Sequence, residues 1–201
     1  MDAIYQFDLT IFNWIKEHLW CDFLDVTMAF VSLIGEVGAV WIVLALVLLF
    51  FKKTRKTGLM VGAALIIMLI VNDNILKHLI ARPRPFDFSG WVDFVYPEIA
   101  YRMPTSFSFP SGHTAASFAC ATVLLMRDVR IGIPAAIFAF IMGFSRIYLF
   151  DHYCTDVLGG IVVGALCGLA AYFLVNTIDK QIKKHKVENK QREERKSISN
   201  E

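Results

Sequence analysis

The sequence is poor in charged residues. Only 19% of its 201 residues are Asp, Glu, Lys or Arg, whereas 56% are hydrophobic, and the mean hydropathy is +0.53. Soluble domains contain about 25% charged residues, so this scarcity excludes an ordinary soluble protein and an intrinsically disordered chain. The net charge of +2 is small, and nothing in the sequence supports nucleic-acid binding.

Cysteine is scarce as well, and its spacing forms no pattern. Cys21, Cys120, Cys154 and Cys167 contain no CxxC pair, which excludes a disulfide scaffold and a structural zinc site. We interpret all four as residues that face lipid or the protein core.

What the sequence does contain is a series of apolar runs between charged segments. A membrane-spanning helix needs about 20 residues, and several runs reach that length only if the polar residues at their ends are helical. They predict an all-α fold, a polytopic membrane bundle with five spans. The five runs are residues 37–51, 57–76, 111–126, 131–150 and 157–178.

The N-terminal 35 residues are ambiguous. Their apolar positions follow a loosely helical pattern, and Trp14 and Trp20 suit a membrane interface. We predict interfacial helices over residues 1–35, a catalytic transmembrane domain over 36–178 and a charged tail over 179–201. A sixth span within the first segment is the alternative.

Basic residues predict how the chain is oriented. With five spans, the connectors after spans one and three share one side with the C-terminal tail, and together they hold 14 of the 20 Lys and Arg residues. The positive-inside rule places this side in the cytoplasm. The N-terminus, residues 77–110 and residues 146–156 then lie on the extracytoplasmic side.

A ridge of small residues follows the last span, formed by Gly160, Gly164 and Gly168. Such ridges allow close helix packing in membranes. We expect this one to pack within the fold, with a homo-oligomer formed through the same ridge as the alternative.

Polar residues at the span ends form three clusters, all on the predicted extracytoplasmic side. Together they offer three cations, two imidazoles and a Ser-Gly turn that opens a helix. The clusters are Lys77-x6-Arg84-Pro85, Pro110-Ser111-Gly112-His113 and Ser145-Arg146-x5-His152-x3-Asp156.

These residue types suit a tetrahedral polyanion. Arg and Lys bind phosphate oxygens, and a helix that begins at Ser111-Gly112 directs backbone N–H groups at an anion. Asp156 lies four residues after His152, so on a helix it can hold one ring nitrogen and leave the other as a nucleophile. His113 can donate a proton to the leaving oxygen. This chemistry needs no metal and no cofactor.

Neighbouring polar residues have a plainer interpretation. We interpret His78 and Arg82 as snorkelling anchors at the membrane surface. Asp73 lies four residues before Lys77 and can pair with it on one helical face, with its role in the site left open.

The three clusters resemble, without a gap or substitution, the three-part signature of the type 2 phosphatidic acid phosphatase (PAP2) superfamily. The resemblance implies that a phosphate is held by Lys77, Arg84, Ser111, Gly112 and Arg146. It also implies that His152 forms a phosphohistidine, with Asp156 orienting it and His113 protonating the leaving group. The chain departs from many six-span members at its N-terminus, where a first span is missing.

The resemblance also implies a bilayer enzyme with a lipid substrate, in a bacterial plasma membrane. We favour undecaprenyl diphosphate, with phosphatidylglycerophosphate and phosphatidic acid as alternatives. A silent scaffold or a lipid transporter would be expected to have lost a catalytic residue, and five spans disfavour a soluble haloperoxidase. The loop over residues 86–109 is rich in aromatic side chains, and it either shapes the mouth of the site or forms an aromatic belt.

Overall fold

A computed structural model of the chain describes residues 2–87 and 105–198. The described part is helical and contains no strand, which confirms the all-α prediction. The helices are α1 (Asp2–His18), α2 (Asp22–Ile34), α3 (Ala39–Phe50), α4 (Arg55–Met68), α5 (Lys77–Ile80), α6 (Gly112–Arg127), α7 (Val129–Tyr148) and α8 (Cys154–Ile198), with a π-helical segment (Leu69–Leu76) between α4 and α5 and short 3₁₀ turns at Glu36–Gly38 and Pro85–Asp87.

Helix α6 lies at the centre of the bundle and packs against α4, α7 and α8. Small residues make this possible, since Ala115, Ala119 and Cys120 are completely buried. The glycine ridge of α8 lies directly on α6: a Cβ atom at Gly164 would be 2.3 Å from the carbonyl oxygen of Ala115. The predicted packing within the fold is confirmed. Because α6 covers the ridge, it is not open to a second copy, and we do not propose a homo-oligomer through it.

Within the described residues, three helices are long and apolar enough to cross a membrane, namely Arg55–Ile80, Val129–Tyr148 and Cys154–Glu193. A fourth span results if Asp22–Ile34 and Glu36–Phe50, which are bent by 43°, count as one. Helix α6 has only 16 residues, so it does not reach the length of an independent span, although its surroundings are apolar. The count of five spans therefore stays a prediction.

The two N-terminal helices pack against the rest of the chain. Helix α1 buries Asp8, Phe12 and Ile15 against the junction of α7 and α8. After α2 the backbone turns sharply, with positive φ angles at Val37 and Gly38, and continues as α3. The predicted boundaries at residues 35 and 179 stay predictions, and α8 continues through the second of them without a break.

Candidate active site

The three polar clusters meet at one end of the bundle, as predicted. They surround the polar end of a cavity of about 900 Å³, which is lined there by Lys77, Arg84, Gly112, His113, Arg146 and His152. Ser111 and Asp156 lie just behind this lining. Both are completely buried, and the Ser111 backbone N–H donates to the Asp156 carbonyl oxygen at 3.1 Å. The structure therefore brings together all eight residues that the sequence indicated.

Two of the three cations are already paired with carboxylates. The Lys77 Nζ atom is 2.7 Å from Asp73 Oδ1, which confirms the pairing expected from their spacing. Arg146 is 1% exposed, forms a 2.6 Å ion pair with the buried Asp151, and donates to the Ser32 hydroxyl of α2. These acids hold each cation in place at the cavity wall.

Arg84 is held by carbonyl groups. Its Nε atom donates to the Ser106 carbonyl oxygen at 2.6 Å, and its Nη1 atom donates to the Asp151 carbonyl oxygen at 3.0 Å. The same Nη1 atom lies 3.3 Å from His152 Nε2. A phosphate held by Arg84 would therefore lie beside the face of His152 that points into the cavity.

His152 has the geometry of a nucleophile. Its Nδ1 atom lies 3.6 Å from Asp156 Oδ2, on the side away from the cavity, so Nε2 is the atom that faces a substrate. Burial, and after it the charges of Arg84 and Arg146, lowers the pKa of His152 well below its ordinary value. The imidazole is therefore neutral near pH 7, the form in which a ring nitrogen can attack phosphorus.

His113 and Gly112 form the first turn of α6. The His113 Nε2 atom is buried and has no hydrogen-bond partner among the described residues, which leaves it available to a ligand in the cavity. A Cβ atom at Gly112 would be 3.1 Å from Asp73 Oδ1 and 3.3 Å from Lys77 Nζ. Glycine therefore lets the Asp73–Lys77 pair approach the N-terminus of α6 closely.

The interpretation of Arg82 as a membrane anchor is wrong. Its guanidinium donates to Asp156 Oδ1 at 2.6 Å and to Asp8 Oδ2 at 2.8 Å, and it lies 3.9 Å from the centre of the Tyr153 ring. Asp8 was missed altogether. Its position was the available signal, because Asp8, Phe12 and Ile15 share one buried face of α1, and an acid on such a face requires a partner.

The mouth of the cavity includes His78, which is exposed and packs edge-on against Phe107 with ring centres 6.1 Å apart. The aromatic loop predicted to lie here falls mostly on residues 88–104, which are outside the described residues. Phe107 and the neighbouring Thr105 and Ser106 line the cavity.

Away from the polar end, the cavity continues as an apolar groove between α3 and α4. Among the described residues, its walls carry no charged side chain over this stretch. They are formed by Ile42, Ala45, Leu46, Leu49, Gly62, Leu65, Ile66, Met68 and Leu69.

Comparison with known proteins agrees with this arrangement. Residues 56–180 match the family described as the PAP2 superfamily. The chain belongs to the PAP2 superfamily. It is accordingly a hydrolase that acts on phosphate esters, and it is a multi-pass membrane protein.

Several PAP2 proteins are similar to this chain over most of its length. Undecaprenyl-diphosphatase BcrC of Bacillus subtilis is 35% identical over 72% of this chain and 72% of its own length. An undecaprenyl-diphosphatase of Sulfolobus acidocaldarius is 32% identical over 69% of this chain and 64% of its own. Phosphatidylglycerophosphatase B of Bacillus subtilis is 30% identical over 68% and 64%. The chain thus spans a little under two thirds of the length of the last two relatives.

Solved PAP2 structures share the fold. The crystal structure of Aquifex aeolicus LpxE superposes with a TM-score of 0.65 at 28% identity, covering 81% of this chain and 93% of that one. A transmembrane PAP2 type phosphatidylglycerolphosphate phosphatase from Bacillus subtilis gives a TM-score of 0.58 at 25% identity, covering 90% and 96%.

Proposed function

We propose that this protein is an integral-membrane lipid phosphatase that removes a terminal phosphate through a phosphohistidine intermediate. The observation that carries the proposal is the shape of the cavity. Its polar end contains His113, His152 and three cations, with His78 at the mouth, whereas its far end is an apolar groove between α3 and α4. A substrate that fills both parts has a phosphate at one end and a hydrocarbon chain at the other.

The first step is attack by His152. Its Nε2 lone pair forms a bond to phosphorus while the bond from phosphorus to the leaving oxygen breaks. Lys77, Arg84 and Arg146, together with the Ser111 hydroxyl and the Gly112 amide group, stabilise the charge on the phosphoryl oxygens. Asp156 Oδ2 lies 3.6 Å from Nδ1, and a shortening of this distance when the substrate binds would let it accept from Nδ1–H and fix the tautomer. His113 gives its proton to the leaving oxygen of the lipid.

The second step is hydrolysis. Water attacks the phosphohistidine, the bond from nitrogen to phosphorus breaks, and inorganic phosphate leaves. The His113 imidazole, which lost its proton in the first step, accepts one from the attacking water. The enzyme then returns to its starting state.

We propose undecaprenyl diphosphate as the substrate. The proposal is supported by the two relatives with that activity in their names, and by the apolar groove, which accommodates the part of an isoprenoid chain nearest the diphosphate. Phosphatidylglycerophosphate is the second candidate, since one curated relative and one solved structure carry that activity in their names.

An assay of phosphate release by the purified protein in detergent tests both the proposed mechanism and the proposed substrate. The panel contains undecaprenyl diphosphate, phosphatidylglycerophosphate and phosphatidic acid, with His152→Ala as the inactive control. We expect release from the wild type and the highest kcat/KM on the isoprenoid diphosphate. A preference for a glycerophospholipid would rule out undecaprenyl diphosphate as the preferred substrate. Activity of His152→Ala equal to that of the wild type would overturn the mechanism.

We further propose that the protein lies in a bacterial plasma membrane with its active site on the extracytoplasmic side and its C-terminus in the cytoplasm. The support is the 14-to-6 division of Lys and Arg residues between the two sides. The test uses Thr105→Cys at the mouth of the cavity and Lys53→Cys between α3 and α4, each in a chain without native cysteines. An impermeant thiol reagent should label only the first in intact cells, and the reverse pattern would invert the topology.

A further inference from the structure

A buried network lies behind His152, on the side away from the substrate. Arg82 connects two carboxylates there, since it donates to Asp156 Oδ1 at 2.6 Å and to Asp8 Oδ2 at 2.8 Å. Both carboxylates are completely buried. Asp156 belongs to the motif that contains His152, whereas Asp8 lies on α1, outside the matched residues 56–180.

Asp8 also contacts the helix that carries Asp156. Its Oδ1 atom accepts the Thr155 backbone N–H at 2.9 Å, and its Oδ2 atom accepts the Thr155 hydroxyl at 2.7 Å. Because Thr155 lies in the first turn of α8, Asp8 satisfies a free N–H group there, as an N-cap residue would, but from a different helix. Removing this contact would loosen the turn that aims Asp156.

The charges of the network have a consequence for His152. Arg82 alone would neutralise Asp156, and a neutralised carboxylate is a weaker partner for an imidazole that becomes cationic as it attacks. Asp8 shares the guanidinium, so the three groups together keep one negative charge. The second oxygen of Asp156 also accepts the Tyr153 backbone N–H at 3.0 Å, which fixes it on the His152 side.

We infer that Asp8 is a positioning residue of the active site, which acts on His152 through Arg82, Thr155 and Asp156. The first helix of the chain is on this view part of the catalytic unit. The inference rests on the proposed role of His152 as the nucleophile.

A double-mutant cycle on lipid phosphate hydrolysis tests the inference. Asp8→Asn keeps the size of the side chain and an oxygen for the Thr155 N–H, and removes the charge. We expect kcat to fall by about 10-fold or more, which is the usual loss when a residue that orients a functional histidine from behind is replaced. KM and inhibition by vanadate should change by less than about 2-fold, since the cations of the cavity are untouched.

The second arm repeats the change in an Asp156→Asn protein. If Asp8 acts through Asp156, the further loss should be less than about 2-fold, because residues that act as a unit are not additive. A role in stability alone would give the same loss in both backgrounds. The matched control is Asp25→Asn, which removes an N-terminal carboxylate that binds Tyr148 and has no contact with the network.

The outcomes separate this inference from the proposed function. Wild-type kcat in Asp8→Asn, or equal losses in both backgrounds, would overturn the role of Asp8 while leaving His152 in place. Activity of His152→Ala would overturn the mechanism itself. Should Asp8→Asn fail to fold, Thr155→Val is the second variant, since it removes the hydroxyl that donates to Asp8 and accepts from Arg82 while keeping every charge. We again expect a kcat loss that disappears in the Asp156→Asn background.

Discussion

The two ends of the bundle differ in how deeply their charged residues are buried. At the end with the active site, six of the described charged residues are at most 9% exposed, namely Asp8, Lys77, Arg84, Arg146, Asp151 and Asp156. At the opposite end, the pair of Lys56 and Asp179 has exposures of 32% and 29%, and Lys183 is 72% exposed. Buried ion pairs seldom add stability, because desolvation offsets their attraction. The comparison therefore indicates that the buried charges serve the reaction and not the stability of the fold.

The largest expected effect separates the two histidines of the buried end. His152→Ala should lose about 10³-fold or more in kcat on every substrate, because no covalent intermediate forms. His113→Ala should lose about 10²–10⁴-fold on a lipid phosphate but recover on p-nitrophenyl phosphate, whose leaving group needs little protonation. The ratio of aryl to lipid phosphate rates in each variant is the measurement. Rescue of His152→Ala by the aryl substrate would reverse the two roles.

The next effect concerns the packing between the two ends. Gly164→Ala places a Cβ atom 2.3 Å from the Ala115 carbonyl oxygen, so we expect it to destabilise the fold by about 1–3 kcal/mol. At about 2–4 °C for each kcal/mol in a chain of this size, thermal unfolding in detergent should show the loss. Gly62→Ala is the matched control, because no atom of the described residues lies within 4 Å of its Cβ position. An unchanged Tm in Gly164→Ala would contradict the close contact of α6 and α8.

A smaller effect follows from the pKa of His152, which burial and nearby cations lower. The neutral form is the reactive one, so a lowered pKa keeps His152 reactive as the pH falls through the ordinary value of about 6.5. The measurement uses His113→Ala, in which a histidine-acylating reagent abolishes aryl phosphate hydrolysis by modifying His152. The rate of this inactivation should stay high until the pH is clearly below 6.5. A midpoint at or above 6.5 would contradict the stated direction.

The smallest effect belongs to the exposed end. Lys183 pairs with Asp179 at 3.0 Å, but exposed pairs of this kind contribute little. Lys183→Gln should therefore leave both kcat and Tm unchanged within error. A measurable loss of activity would mean that the two ends of the bundle are coupled.

The sequence predicted the cavity side of the site and missed the side behind it. Lys77, His113 and His152 could be predicted to meet, because each lies in a dense polar cluster at the end of an apolar run, and the order of the runs places all three at one face. Arg82 and Asp8 could not, since their contacts join residues 74 apart in the chain and depend on how α1 docks. Burial of a lone acid on an apolar helical face is a signal for a partner, but it does not identify one.

The π-helical segment at Leu69–Leu76 sets the angle around the helix axis at which Lys77 follows α4. Its amide-to-carbonyl bonds span five residues where an α-helix spans four, so the segment contains a residue that a regular helix would not need. Each residue of an α-helix turns the chain by about 100°. If the same residues formed a regular α-helix, Lys77 would lie about one helical position further on, rotated by roughly that angle relative to α4 and away from the phosphate site, without a change in any catalytic residue. The placement of Lys77 in the active site therefore depends on the bonding pattern of this stretch as well as on the identity of its residues.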